Sequence, residues 1–312
     1  MKIFVTGASG FVGKNLCMML LGDGHEVMTL HRKPPEFASG DVVLGDLDDI
    51  EAWSDRIAGM DCVIHLAGRA HVLNSHEQDP LEVFRKVNRD ASFRLAEACV
   101  SRGVQRFVFI SSIGVNGNET QGHAFSELSP AAPQAPYAIA KYEAELGLTT
   151  LLEHAPTDLV VIRPPLVFGA HAPGNFRRLM KLVATGIPMP FGLVTNRRSI
   201  ISVTSLCKFI ALAAEHPKAA GQLFLVADEP VLSTSDMVRA LADGMGKKCV
   251  QLPVPPVLMK VMSSLVGKKA LYQQLCGSLE VDSSHAQRVL GWEPARNARS
   301  ELSREGASFR AL

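Results

Sequence analysis

Tyr137 and Lys141 stand four residues apart in Tyr137-Ala-Ile-Ala-Lys141, a spacing that puts a phenol and an ammonium on one face of a helix. The pair suits proton transfer. A free tyrosine, with a pKa of about 10, is a poor base at neutral pH, but a cation held beside it favours the phenolate. Taken alone, the same pair fits two solvated residues on a helix surface, so the chemistry depends on what else converges there. Ser111-Ser112 is a candidate because it ends the β-rich run Arg106 to Ile110. Such a run reads as a strand buried in a parallel sheet, and a hydroxyl at its carboxyl end faces the crevice where open α/β sheets bind ligands. A helix-cap or loop role for Ser112 is the alternative.

The elements that would position these groups begin at the N-terminus. Lys2 to Thr6 is a strand-length apolar run, followed by Gly7-Ala8-Ser9-Gly10-Phe11-Val12-Gly13 and a helical stretch from Lys14 to Leu21. Strand, glycine turn and helix together form a dinucleotide site: the first glycine makes the turn, the second admits a pyrophosphate, and the third lets helix pack on strand. The phosphates then sit at a helix N-terminus, with the amides of Phe11 and Val12 at hand. A second strand, Glu26 to Leu30, ends about 18 residues past Gly13, where a carboxylate would hold the ribose of NAD. His31-Arg32-Lys33 stands there instead, which favours NADP(H) and leaves NAD(H) open. Val42 to Leu47 reads as a third strand, with Asp46 placed to accept from an adenine amine, and Asp48 to Ala58 as a helix. Asp61 to Gly68 reads as a fourth strand whose Ala67-Gly68 end gives a cofactor room, and His65 within it reads as a packed core histidine. Pro80 to Arg102 is expected to be one long helix carrying Asn88.

The totals exclude other classes. An apolar content of 47% supports a sizeable core, and a net charge of +1 excludes a broad nucleic-acid footprint. The six cysteines are scattered without metal-ligand spacing, so no metal site is expected and the thiols read as reduced core residues. There is no signal-peptide pattern and no apolar run of membrane-spanning length, so the expectation is a cytoplasmic protein with no stable membrane insertion.

Together these segments resemble the extended short-chain dehydrogenase/reductases, in the branch of NAD-dependent epimerases and dehydratases. The resemblance rests on Thr6-Gly7-x-x-Gly10-Phe11-x-Gly13, Asp46-Leu47, His65-Leu66-Ala67, Ser111-Ser112 with Val115-x-Gly117, Tyr137-x-x-x-Lys141 and Arg163-Pro164-x-x-Val167-Phe168-Gly169, in family order. It implies that Ser112 hydrogen-bonds the reacting oxygen, that Tyr137 gives or takes its proton, and that Lys141 holds the nicotinamide ribose while lowering the Tyr137 pKa. It also puts Tyr137, Leu47, Leu66, Asn88 and Pro164 on the cofactor side. The dehydratases of this superfamily carry Asp-Glu after the catalytic Ser or Thr; Ile113-Gly114 stands here, which argues against dehydration.

Beyond Gly169 the pattern is less regular. The expected fold is α/β, a doubly wound parallel Rossmann sheet from residues 1–168 plus about 195–228. A smaller, discontinuous lobe from about 169–194 plus 229–312 is expected to bind substrate. Asn175 resembles the family position that contacts a nucleotide-sugar diphosphate, and Arg198, beside Arg197, resembles its pyrophosphate-binding arginine, a group suited to bidentate capture of phosphate. Pro253 to Leu275 reads as a helix pair covering the cleft, with a membrane-surface contact as the alternative. The leading expectation is reduction of a 4-keto UDP-hexose or UDP-N-acetylhexosamine, with UDP-sugar 4-epimerisation on retained NAD as the alternative. A lipid-diphosphate sugar is a second carrier, and the setting implied by resemblance is polysaccharide biosynthesis. Non-sugar carbonyl reduction and non-catalytic dinucleotide sensing rank below, and relatives imply a homodimer through the helices flanking Tyr137.

Overall fold

Short apolar runs, each ended by a turn, supply the main sheet. The structure is a computed structural model and describes residues 1–36, 40–69 and 79–310. Its strands are β1 (Lys2–Thr6), β2 (Glu26–His31), β3 (Asp41–Leu44), β4 (Cys62–His65), β5 (Arg106–Ile110), β6 (Asp158–Arg163), β7 (Leu166–Phe168), β8 (Ile200–Ser202) and β9 (Leu223–Leu225). Seven of them form a parallel sheet in the order β3-β2-β1-β4-β5-β6-β9, while β7 and β8 pair separately. That is the doubly wound order, in which the chain reverses direction across the sheet beside β1.

Side chains alternate across the sheet, so one strand feeds two cores. Ile3 and Val5 pack with Leu16, Leu20 and Phe209 on one face, whereas Phe4 packs with Phe107, Phe109 and Leu148 on the other. The first face is covered by α1 (Phe11–Gly22) and by α7 (Val203–Glu215). The second carries α2 (Ile50–Trp53), α4 (Ala91–Ser101) and α5 (Pro136–Leu152), with α3 (Pro80–Arg85) packed on α5. A separate core gathers Phe176 and Met180 of α6 (Gly174–Ala184), Val238 and Leu241 of α8 (Thr234–Gly244), and Leu302 of α12 (Ala298–Arg310). Two further helices, α9 (Pro256–Leu265) and α10 (Lys269–Cys276), lie at its margin with no fully buried residue, and α11 (Ser284–Leu290) returns to the first face.

Two elements depart from expectation. The helix expected over 48–58 is cut to Ile50–Trp53, because Trp53 leaves the helical region at φ −135° and buries its indole ahead of a 3-10 turn, Ser54–Ile57. The helix expected over 80–102 is broken at Lys86–Asp90 by a π turn. An inserted residue of this kind recurs at functional sites. Here it accompanies the complete burial of Asn88, which accepts from the Arg69 amide (2.8 Å) and donates to the Arg69 carbonyl (3.0 Å).

Candidate active site

The carboxyl ends of β1, β2, β3 and β4 open onto a cavity of about 930 Å³. Its walls bring together Gly7, Gly10, His31, Arg32, Asp46, Leu47, Leu66, Ala67 and Gly68, all named from sequence as cofactor residues. The glycines are needed for their lack of a side chain. A Cβ on Gly7, at φ +74°, would lie 2.5 Å from the Ala67 amide nitrogen, and one on Gly13 would lie 2.3 Å from the Gly7 carbonyl oxygen. Gly10 caps α1 with no side-chain hydrogen bond, so the first-turn amides lie beside the cavity that Gly10 lines. A glycine cradle under an uncapped helix start fits the pyrophosphate of a dinucleotide. Phe11 and Val12 turn their side chains into the cores and have only backbone to offer such a ligand.

At the far end of the cavity the charge differs from the sequence reading. His31 is buried, lies 3.0 Å from the Thr29 hydroxyl, and is lowered in pKa by desolvation, so it contributes no positive charge at neutral pH. Arg32 shares the cavity with Asp46 and Asp48. Asp46 stands on the cofactor side as the sequence reading expects, and Asp48 lines the same cavity.

Ser112, Tyr137 and Lys141 come from two neighbouring elements. Ser112 caps a 3-10 turn, Ile113–Val115, accepting from the Gly114 amide at 3.1 Å. A Cβ on Gly114 would meet the Ser112 hydroxyl at 3.4 Å and the Ala138 side chain at 3.3 Å, which sets the serine against the first turn of α5. Pro136 opens that helix, so Tyr137 and Lys141 occupy its first two turns. The Tyr137 ring meets Phe84 edge-on at 6.0 Å. The Lys141 ammonium is buried, donates to the Ile110 carbonyl (2.9 Å) and lies 4.4 Å from the Phe109 ring centre. A Cβ on Gly68 would sit 3.5 Å from that ammonium and 3.1 Å from the Asn88 carboxamide oxygen, so Lys141 and Asn88 both adjoin the inner end of the cavity. Burial pushes the Tyr137 phenol up to about 12 and the Lys141 amine down to about 8, with Glu145 holding the latter up. The sequence reading expects Lys141 to lower the phenol; burial is the cause acting on Tyr137 here, and the Lys141 ammonium, with one N–H donated to Ile110, keeps two for a ligand.

Behind these groups runs a chain of buried hydrogen bonds. The Ser92 hydroxyl donates to the Asn88 carbonyl (2.9 Å), which leaves it to accept from His65 Nε2 (2.8 Å). His65 Nδ1 then accepts from Thr6 (2.6 Å), whose oxygen takes the Ala67 amide (3.4 Å). Every group is satisfied with a neutral imidazole, in keeping with a pKa held well below the usual histidine range by burial and by Lys141. His65 is a core residue, as its place in an apolar strand predicts, and it braces Asn88 against the end of β1.

Sequence reasoning missed Glu145. It lies one turn past Lys141 on the same face of α5 and forms a buried, bidentate ion pair with Arg163 of β6, with Nε to Oε1 at 2.9 Å. Arg163 also donates to Asn116 (3.0 Å), just past the turn that Ser112 begins. One guanidinium thus ties the Tyr-Lys helix, the central sheet and the serine loop together. The i, i+4, i+8 row of Tyr137, Lys141 and Glu145 was the signal available.

Pro164 lies outside the cavity lining; its carbonyl accepts from Ile113 (3.0 Å) and so supports the serine turn. Asn175 is half-buried in the first turn of α6. Arg198 is also half-buried and donates to the Gly277 carbonyl (3.1 Å), whereas Arg197 is exposed and pairs with Glu280. Among the described residues there is no group of His, Cys, Asp and Glu able to hold a metal ion. No described helix is long and apolar enough to cross a membrane.

The chain is similar to known proteins. A family model described as the NAD dependent epimerase/dehydratase family matches residues 3–227. A UDP-glucose 4-epimerase of Vibrio cholerae is 39% identical, over 99% of this chain and 95% of that protein. An N-acetyl-alpha-D-glucosaminyl-diphospho-ditrans,octacis-undecaprenol 4-epimerase of Escherichia coli O157:H7 is 28% identical over 91% of this chain and 88% of its own length. The crystal structure of a UDP-glucuronic acid 4-epimerase from Bacillus cereus in complex with NAD superposes with a TM-score of 0.80 at 22% identity, covering 100% of this chain and 99% of that one.

Proposed function

The chain belongs to the NAD dependent epimerase/dehydratase family, and on that premise we propose that it is a 4-epimerase of a UDP-hexose or UDP-N-acetylhexosamine that keeps NAD bound throughout turnover. It is an enzyme of the short-chain dehydrogenase/reductase type. The observation that carries the finer reading is the near full-length match to the Vibrio cholerae UDP-glucose 4-epimerase. This reverses the order reached from sequence, where the reductase led. The argument for the reductase was a 2′-phosphate site on the two cations Arg32 and Lys33; Asp46 lines the same cavity as Arg32, and membership of an NAD dependent family supports NAD instead.

Gly7, Gly10 and Gly13 would admit the pyrophosphate, Asp46 and Leu47 would border the adenosine, and Ala67, Gly68 and Asn88 would line the path toward the nicotinamide. A nicotinamide held there would supply hydride exchange at C4 of the sugar. Tyr137 takes the C4 hydroxyl proton as the carbonyl forms and gives it back when the carbonyl is reduced. Ser112 donates a hydrogen bond to the same oxygen, holding it in line with the phenol. Lys141, close to Gly68, binds the ribose hydroxyls and supplies the positive charge that favours the phenolate. The epimerase must present both faces of one keto sugar, which the lobe built on α6, α8 and α12 does by holding the diphosphate while the sugar turns. Asn175 and Arg198 are the contacts assigned to that diphosphate.

Purified protein given UDP-glucose with no added reductant is expected to form UDP-galactose and approach the same mixture from either sugar. Parallel incubations with UDP-N-acetylglucosamine and a polyprenyl-diphosphate N-acetylglucosamine assign the carrier. Stoichiometric oxidation of NADPH with a UDP-4-keto-hexose as substrate, and no interconversion of UDP-glucose and UDP-galactose, would replace the epimerase with the 4-keto reductase.

A further inference from the structure

The hairpin of α9 and α10 is apolar on the outside. On α9, Val257, Val261 and Leu265 form one exposed i, i+4 row, and Leu258, Met262 and Val266, just past its end, form the next. Val257, Leu265 and Val266 are 74%, 82% and 66% exposed, while Met259 on the opposite face packs on the second core. Leu271 of α10 adds a further exposed apolar side chain. A helix that is apolar all round is normally buried, and patches of this kind mark an interaction surface.

Charge names the partner. Residues 244–279 contain five lysines, Lys247, Lys248, Lys260, Lys268 and Lys269, and no aspartate or glutamate, in a chain whose net charge is only +1. All five lysines are exposed. The carboxylate in contact with the hairpin is Glu119, which accepts from Gln273 (3.2 Å). Lysines beside an exposed apolar face complement a surface that is anionic outside and hydrocarbon within. A two-fold contact between copies would instead bring like charges together around the same face.

We propose that the α9–α10 hairpin docks the enzyme on the surface of an anionic phospholipid bilayer, with the Val257–Val266 rows entering the interface and Lys260, Lys268 and Lys269 facing the headgroups. The attachment is peripheral, by a helix lying in the plane of the surface. This goes beyond the epimerase reading and does not depend on it, since vesicle binding is measured without turnover.

The test is co-sedimentation of the full chain with vesicles of phosphatidylcholine alone and of phosphatidylcholine with phosphatidylglycerol, at low and high salt. Binding is expected to the anionic vesicles, to weaken with salt, and to weaken about a hundredfold in the K260Q/K268Q/K269Q variant at about fivefold per lysine. V261E/L265E should abolish it, and because both side chains are exposed the variant should keep the wild-type melting temperature. No binding of wild-type protein to anionic vesicles would overturn the proposal, as would undiminished binding by V261E/L265E. A wild-type dimer that V261E/L265E dissociates, with no vesicle binding, would assign the face to a second copy and also overturn it.

Discussion

Tyr137→Phe is expected to lower kcat by about a thousandfold or more while leaving NAD affinity within twofold. General acid–base groups contribute about 10²–10⁴ to rate; the Ser112 hydroxyl, which accepts from the Gly114 amide, is assigned to hydrogen-bond the reacting oxygen and has no base to pass its proton to, and Ser111 is buried. The cavity assigned to the dinucleotide is lined by the ends of β1, β2 and β4 and not by the phenol, so calorimetric titration with NAD should separate the two effects. The pH profile sharpens the prediction. Burial raises the phenol to about 12, so the phenolate becomes accessible near neutral pH only with a cation beside it. Replacing Lys141 with Met should therefore move the alkaline-rising limb of kcat to higher pH, whereas Y137F should flatten it. Joint loss of NAD binding and activity in Y137F would contradict the assignment.

The largest effect on stability is expected at Glu145. Removing one partner of a buried ion pair strands the other without water, at a cost of about 3–5 kcal/mol. Glu145→Ala strands Arg163, both being nearly inaccessible to solvent, with the Asn116 carboxamide oxygen left as its partner. Urea unfolding should show that loss for either single substitution. The double replacement E145L/R163L should be clearly more stable than either single variant, because an apolar pair needs no compensating charge. Equal loss in all three would mean that the pair is not coupled.

Much of this was legible in the sequence. Ile3 and Val5 alternating with Phe4, then glycines at 7, 10 and 13, read as a doubly covered parallel strand running into a tight turn and a helix, whereas the strand order comes from the structure. Ser112, Tyr137 and Lys141 were nameable as candidates because their spacing is local, one turn of helix and one strand end, and the fold sets them on neighbouring elements. What escaped depends on contacts across the chain. The π turn at Lys86–Asp90 alters no composition and barely disturbs the apolar spacing, yet it accompanies the inward turn of Asn88. Arg163 was visible as part of a motif, but its partner lies 18 residues earlier on another element. His31 was read together with the two cations Arg32 and Lys33, and only the packing of β2 shows that it is buried beside Thr29. The hairpin at Pro256–Cys276 was legible as helical, but which side of it faces outward is a property of the fold.

The most direct test of the central claim follows the hydrogen at C4. UDP-glucose carrying deuterium at C4 is incubated with the purified enzyme and unlabelled NADH is added to the medium. An epimerase that keeps its cofactor predicts UDP-galactose with the deuterium retained at C4. Product that has exchanged its label for hydrogen from the added NADH would mean that the cofactor leaves between the two half-reactions, and would contradict the account.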